Sequence, residues 1–167
     1  MLEIFQVSAE AVGTSVKRFT TITEAVSFVK GLAGEGRIST SHLPPEIREA
    51  FSGTDFATPT EFADSFLCVS LAQAGIAATG SLMLDLSDQH ERSAASLPTI
   101  HAVFLKKSAI VPDLYALHDV INKKTASSQS TRLSITTGPS RTADIERVLT
   151  IGVHGPKELY VLVLEGE

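Results

Sequence analysis

Two apolar runs constrain this chain more than any other feature. Residues 66–72 are apolar except for Ser70, and residues 159–164 are apolar throughout. A helix that crosses a membrane needs about 20 apolar residues in succession, so neither run spans one. Each suits a strand buried on both faces, as in a parallel sheet covered by helices. Strand patterns recur at residues 81–86, 100–105 and 133–137, with shorter candidates at 17–19 and 37–40. Helical patterns lie between them. Thr21-Ile22-Thr23-Glu24 is a capping box, and Ile22, Ala25, Val26 and Val29 follow at helical spacing until Gly34 and Gly36. Thr58-Pro59-Thr60-Glu61 carries the same start signal, with Pro at the first helical position. Residues 112–123 read as a crossover helix, with Leu114, Leu117, His118 and Ile121 on one side. Residues 125–131 are polar and Ser-rich, which predicts an exposed loop. The alternation predicts an α/β fold with a mainly parallel sheet, as one domain over residues 1–167. Ligands of such sheets sit outside the carboxyl ends of strands, so the segments after residues 71, 86, 105 and 137 are the ones to inspect.

Composition removes several function classes. The chain has one cysteine, Cys68, so an internal disulfide, a Cys₄ zinc site and an iron–sulfur cluster held by these residues alone are excluded. Cys68 lies in an apolar run, which favours an inert buried thiol over a nucleophile. The net charge is −5 and no basic block is present, which argues against nucleic-acid binding. Residues 1–84 hold 5 basic and 9 acidic groups, and residues 85–167 hold 9 and 10, so the second half is nearly neutral. The five histidines include no pair at the i, i+4 spacing of a helical zinc site, so no metal site is expected. Met1 to Gln6 does not read as a secretory signal, and cytoplasm is the expected compartment.

Three segments carry candidate chemistry. Thr137-Gly138-Pro139-Ser140-Arg141-Thr142-Ala143-Asp144-Ile145-Glu146 follows a strand directly. Ser140 and Thr142 supply hydroxyls, and Arg141 supplies a planar fork of donors for a carboxylate or phosphate, with Asp144 and Glu146 able to hold it. The same residues equally make a strand-to-helix turn, with Ser140 or Thr142 as N-cap and Arg141 in a structural ion pair. Ala77-Ala78-Thr79-Gly80-Ser81 permits close approach of backbone to a ligand, or of backbone to backbone. Gly152-Val153-His154-Gly155-Pro156 makes a shaped turn, in which His154 either donates to an anion or closes the loop onto backbone. A Ser–His–Asp site could be drawn from Ser140 or Ser81, His154 or His101, and Asp144. No Gly-x-Ser-x-Gly elbow supports it, and His101 inside a strand reads as a core histidine.

The long C-terminal motif, followed by Gly152 to Pro156 and a closing apolar strand, resembles the signature of the LUD domain, the lactate utilization protein C family. Ile76-Ala77-Ala78-Thr79-Gly80-Ser81-Leu82, Arg92, Leu97-Pro98-Thr99-Ile100-His101 and Ile110-Val111-Pro112-Asp113-Leu114 agree in order, so the resemblance covers about residues 62–166. Ala78 stands where many members carry an acidic residue, and the N-terminal part is shorter than the helical segment with which many members begin.

The resemblance implies a three-layer α/β/α sandwich like that of the sugar-phosphate isomerase, CoA-transferase and formyltetrahydrofolate cyclo-ligase group. It implies a non-cluster subunit or accessory protein of an iron–sulfur system that oxidises L-lactate to pyruvate. Any activity would then belong to that multi-protein complex, with the clusters on partner proteins and no cofactor bound by this chain alone. Motif positions carried over as a site for a small anionic ligand or partner are Thr79, Gly80, Ser81, Arg92, Gly138, Pro139, Ser140, Arg141, Thr142, Asp144, Glu146, His154 and Gly155. No catalytic residue is carried over. Two other readings compete: a stand-alone enzyme on a small phosphorylated or CoA-linked substrate, and a structural or regulatory binding module. A homo-oligomer is compatible with all three.

Overall fold

The computed structural model describes residues 1–41, 43–127, 131–143, 149–151 and 155–166. The strands are β1 (Ser15–Phe19), β2 (Ile38–Thr40), β3 (Leu67–Ile76), β4 (Ser81–Asp85), β5 (Ile100–Lys106), β6 (Ile110–Val111), β7 (Leu133–Thr136), β8 (Arg141–Ala143), β9 (Leu149–Ile151) and β10 (Glu158–Leu164). The helices are α1 (Leu2–Ala11), α2 (Ile22–Ala33), α3 (Pro45–Ala50), α4 (Gln89–Ser96) and α5 (His118–Ser127). The main sheet runs β1-β10-β5-β3-β4-β7, with β2 and β6 also paired to β3. The β1–β10, β10–β5, β5–β3, β3–β2 and β3–β6 pairings are parallel, and β3–β4 and β4–β7 are antiparallel. The mainly parallel expectation therefore holds, with an antiparallel extension on one side.

Strand β3 joins the two parts. Its first half pairs with β5, with Leu67 opposite Ile100, and its second half pairs with β4 and β6. The register shifts between Ala72 and Ala74, where the strand passes from one set of neighbours to the other. No loop follows residue 71, because the strand continues to Ile76.

Helices cover both faces of the sheet. On one face, Val26 and Val29 of α2, Ile47 of α3 and Phe51 pack on Leu67, Phe104 and Leu162. On the other, Leu2, Phe5 and Ala9 of α1 pack on Val103, Leu105, Val161 and Val163. Alternate residues of β5 and β10 thus belong to opposite layers, as the two-residue period of a strand requires. Burying one such Leu or Val side chain contributes about 1.5–3 kcal/mol. Helix α5 adds Val120 and Ile121 against Ala74, Ile76 and Met83 of the antiparallel extension.

Local signals explain where elements begin. Thr21 Oγ1 accepts from the Glu24 amide at 3.2 Å, and the Glu24 carboxylate accepts from the Thr21 amide at 3.3 Å, which completes the box that starts α2. Thr58 and Glu61 make the same box, but it opens a 3₁₀ turn over Pro59–Asp64 rather than an α-helix. Only a few residues remain there before β3, and 3₁₀ geometry suits so short a connector. The crossover segment also differs from expectation. Asp113 Oδ1 accepts from the Ala116 amide at 3.0 Å and sets a 3₁₀ turn over Tyr115–Leu117. The helix proper starts at His118 and runs to Ser127, past the expected end and into the expected loop. Its inward side uses Leu117, Val120 and Ile121, whereas Leu114 and His118 face solvent.

Candidate functional site

A cleft of about 410 Å³ opens on the α1 side of the sheet. Its walls are Leu84 and Leu86 at the end of β4, Ser134 to Thr136 of β7, and the turn Thr137 to Arg141. Gly155 and Pro156 close one side, and Ala95 and Ser96 at the end of α4 close another. His101 and Leu159, the second residues of β5 and β10, also line it. The cleft therefore lies at the amino ends of those two parallel strands, not at the carboxyl ends that the general rule for such sheets suggests. Of the segments singled out for inspection, that after residue 137 lines it along its length. That after residue 105 does not.

The turn from Gly138 to Arg141 is moulded onto the end of α1. Gly138 has φ +72°, and a Cβ there would stand 2.6 Å from the Val12 carbonyl oxygen. Arg141 Nη2 donates to that same oxygen at 2.7 Å. A guanidinium at the carboxyl end of a helix meets the negative end of its dipole and one of its unpaired carbonyls. Ser140 is fixed from the other side, where its amide donates to the Pro156 carbonyl at 2.9 Å. Arg141 opens the two-stranded ribbon of β8 and β9, opposite Ile151. The expected strand-to-helix turn at Ser140 or Thr142 is thus a strand-to-ribbon turn, with Thr142 inside β8.

The Thr79-Gly80-Ser81 segment stands behind the turn. Thr79 Oγ1 lies 2.7 Å from Ser81 Oγ, which lies 2.7 Å from Thr137 Oγ1. A Cβ at Gly80 would fall 2.2 Å from the Ala9 amide nitrogen, so this segment serves backbone-to-backbone packing against α1. Arg92 is used locally. Its Nη1 donates to the carbonyls of Leu86, Ser87 and Asp88 at 3.0, 3.3 and 3.2 Å, which braces the loop from β4 into α4.

The motif positions thus divide. Gly138, Pro139, Ser140, Arg141 and Gly155 line the cleft, and Thr79, Gly80 and Ser81 support it through Thr137. Arg92 braces the β4–α4 loop, and Thr142 is placed only by its backbone in β8. Asp144, Glu146 and His154 lie outside the described residues.

The pattern passed over one polar pair. His101 is 3% exposed, and its Nε2 lies 2.7 Å from the hydroxyl of Ser70, itself 2% exposed. Burial pushes the imidazole down to about 4, so it is neutral at pH 7. The signal was present in the sequence: each residue interrupts an otherwise apolar run, and the two interruptions meet. Cys68 is also buried, and burial pushes its thiol up to about 12. It behaves as a packing residue, in keeping with its apolar surroundings. Among the described residues no group of three or more potential metal ligands occurs, and no helix is long and apolar enough to cross a membrane.

Comparison with known proteins places this architecture. The family model described as the LUD domain matches residues 57–164, which include β3, β4, β5, β7, β10 and the cleft-lining turn. "Lactate utilization protein C" of Bacillus subtilis is 37% identical over 98 residues, covering 57% of this chain and 41% of that protein. A protein of the same name from Halalkalibacterium halodurans is 30% identical over 129 residues, covering 75% of this chain and 56% of that protein. The "Uncharacterized protein YkgG" of Escherichia coli is 32% identical over 99 residues, or 58% of this chain and 43% of that protein. The chain therefore spans about two fifths to just over half the length of these relatives. The crystal structure of a DUF162 family protein from Deinococcus radiodurans superposes with a TM-score of 0.69 at 19% identity, covering 98% of this chain and 96% of that one. That likeness establishes the fold.

Proposed function

Because the chain belongs to the LUD domain family, we propose that it serves lactate utilisation, as a cluster-free component of an iron–sulfur system that oxidises L-lactate to pyruvate. The observation that carries this reading is its match, across the cleft-bearing segment, to proteins named for lactate utilisation. Its single buried cysteine supports placing the iron–sulfur clusters on partner proteins, since a cluster needs several thiolates. The cleft suits a small organic anion. Arg141 supplies the cation, and among the described lining residues there is no carboxylate to oppose it. Leu84, Leu86, Ile135 and Leu159 supply apolar wall, in the mixed character usual for small-molecule sites.

Three experiments in the native host test the reading. Deletion of the gene should stop growth on L-lactate, and a tagged chain should co-purify with cysteine-rich iron–sulfur proteins. Arg141→Ala should leave the protein folded and reproduce the deletion phenotype. Undiminished growth of the deletion strain on L-lactate overturns the pathway assignment. Undiminished growth of the Arg141→Ala strain overturns the role given to the cleft.

A further inference from the structure

The Ser70–His101 pair lies beneath the cleft, and its hydrogen bonding has a direction. The Ser70 hydroxyl makes one hydrogen bond, to His101 Nε2. A buried hydroxyl proton without an acceptor is costly, and Nε2 is the acceptor within reach, so the proton of Ser70 points at Nε2. A neutral imidazole that accepts at Nε2 carries its own proton at Nδ1. That Nδ1 has no hydrogen-bond partner among the described residues. The fully enclosed, unpartnered side-chain polar atoms among those residues are Thr14 Oγ1 and Thr131 Oγ1, so His101 Nδ1 is not sealed in. His101 borders the cleft.

We infer that His101 turns its Nδ1 edge to the cleft and is a ligand-binding residue, whose Nδ1–H is a second donor to the oxygen of a small hydroxy- or oxo-carboxylate there. Ser70 is the positioning residue that fixes its tautomer. The identity of the ligand rests on the lactate reading above; the donor edge does not. A donor that stays neutral at pH 7 complements Arg141, because it takes an acceptor oxygen without adding a second buried charge to the cleft. The apolar wall around it raises the worth of each such bond by excluding water.

The test is nitrogen-detected magnetic resonance of the ¹⁵N-histidine-labelled protein, with His101→Asn used only to assign its ring signals. The native protein at pH 7 should show His101 as the Nδ1–H tautomer. Adding L-lactate or pyruvate should move its Nδ1 signal, and inorganic phosphate at equal concentration should not move it as far. Ser70→Ala should mix the tautomers and Ser70→Thr should restore one, with L-lactate affinity falling about tenfold in the first and recovering in the second. An Nε2–H tautomer in the native protein overturns the inference. So does a His101 signal that neither carboxylate moves in a protein whose deletion stops growth on L-lactate. A signal that responds to the carboxylates in a strain whose deletion grows normally keeps the binding residue and removes the pathway assignment.

Discussion

Arg141 Nη2 sits 2.7 Å from the carbonyl oxygen of Val12, tying the cleft-lining turn to the end of the first helix. One guanidinium therefore has two neighbours, a helix end and an open cleft. Arg141→Ala should lower stability by about 1 kcal/mol, the usual worth of a cation at a helix carboxyl end. Arg141→Lys should recover most of that loss but not ligand binding, since an ammonium lacks the planar fork. Urea denaturation alongside lactate titration separates the two effects.

Gly80 should tolerate no side chain. Its φ is +66°, and a Cβ would lie 2.2 Å from the Ala9 amide nitrogen and 2.3 Å from its Cα. Gly80→Ala should destabilise the protein by about 3 kcal/mol or more, combining a left-handed backbone with a collision against backbone that cannot turn aside. Gly31→Ala is the contrast. It lies within α2 with nothing within 4 Å of a new Cβ, so it should stabilise by about 0.5–1 kcal/mol through helix propensity. Thermal denaturation of both variants checks the pair.

His101 sets an acid limit on stability. Its folded value is lowered to about 4 from an ordinary 6.5, so the unfolded chain binds a proton that the native one refuses. Stability from this group is complete above about pH 6.5 and is lost as pH falls towards 4, by about 3 kcal/mol in all. Glu61 and Glu165 act lower. Glu61 is held at about 2, first by the Thr58 amide and then by Arg37, and Glu165 is held at about 2 chiefly by Arg18. Their contributions fade below about pH 4.5. Denaturation midpoints measured from pH 7 to pH 3 should fall in two stages, and His101→Phe should remove the upper one.

Cys68 should be silent towards thiol reagents in the native state. It is fully buried, with its thiol pushed up to about 12. Labelling should appear only at the global unfolding rate and become immediate in denaturant. Rapid labelling of the native protein would refute the assignment of Cys68 as a packing residue.

The strands were the most legible part of the fold. Every predicted strand is present, because near-continuous Val, Leu and Ile runs leave few alternatives in a sheet covered on both faces. Helices were legible where their caps were strong. Thr21 and Glu24 announced α2, whereas α1 has no side-chain cap and was missed. Helix α4 was also missed, although Asp88 caps it through the His90 and Glu91 amides at 2.6 and 3.3 Å. It has few apolar residues, so its periodicity is faint. The turn from Gly138 to Arg141 stood out in the sequence, but its seat on Val12 did not, because that contact joins opposite ends of the chain. His101 reads as a core histidine and Ser70 as a break in an apolar run, since neither strand alone reveals that the two face each other.

The position of β10 governs how the molecule is made. The last strand lies between β1 and β5, pairing Val161 with both Val16 and Val103. During synthesis the ribosome releases β1 first, and that strand waits without its neighbour until Glu158 to Leu164 emerges. Closure of the sheet must therefore wait for this strand, and contacts so distant along the chain make it slow. Until then the edges of β1 and β5 are exposed to other nascent chains. Termination after residue 106 and before residue 158 leaves β1 with no strand to join it to β5.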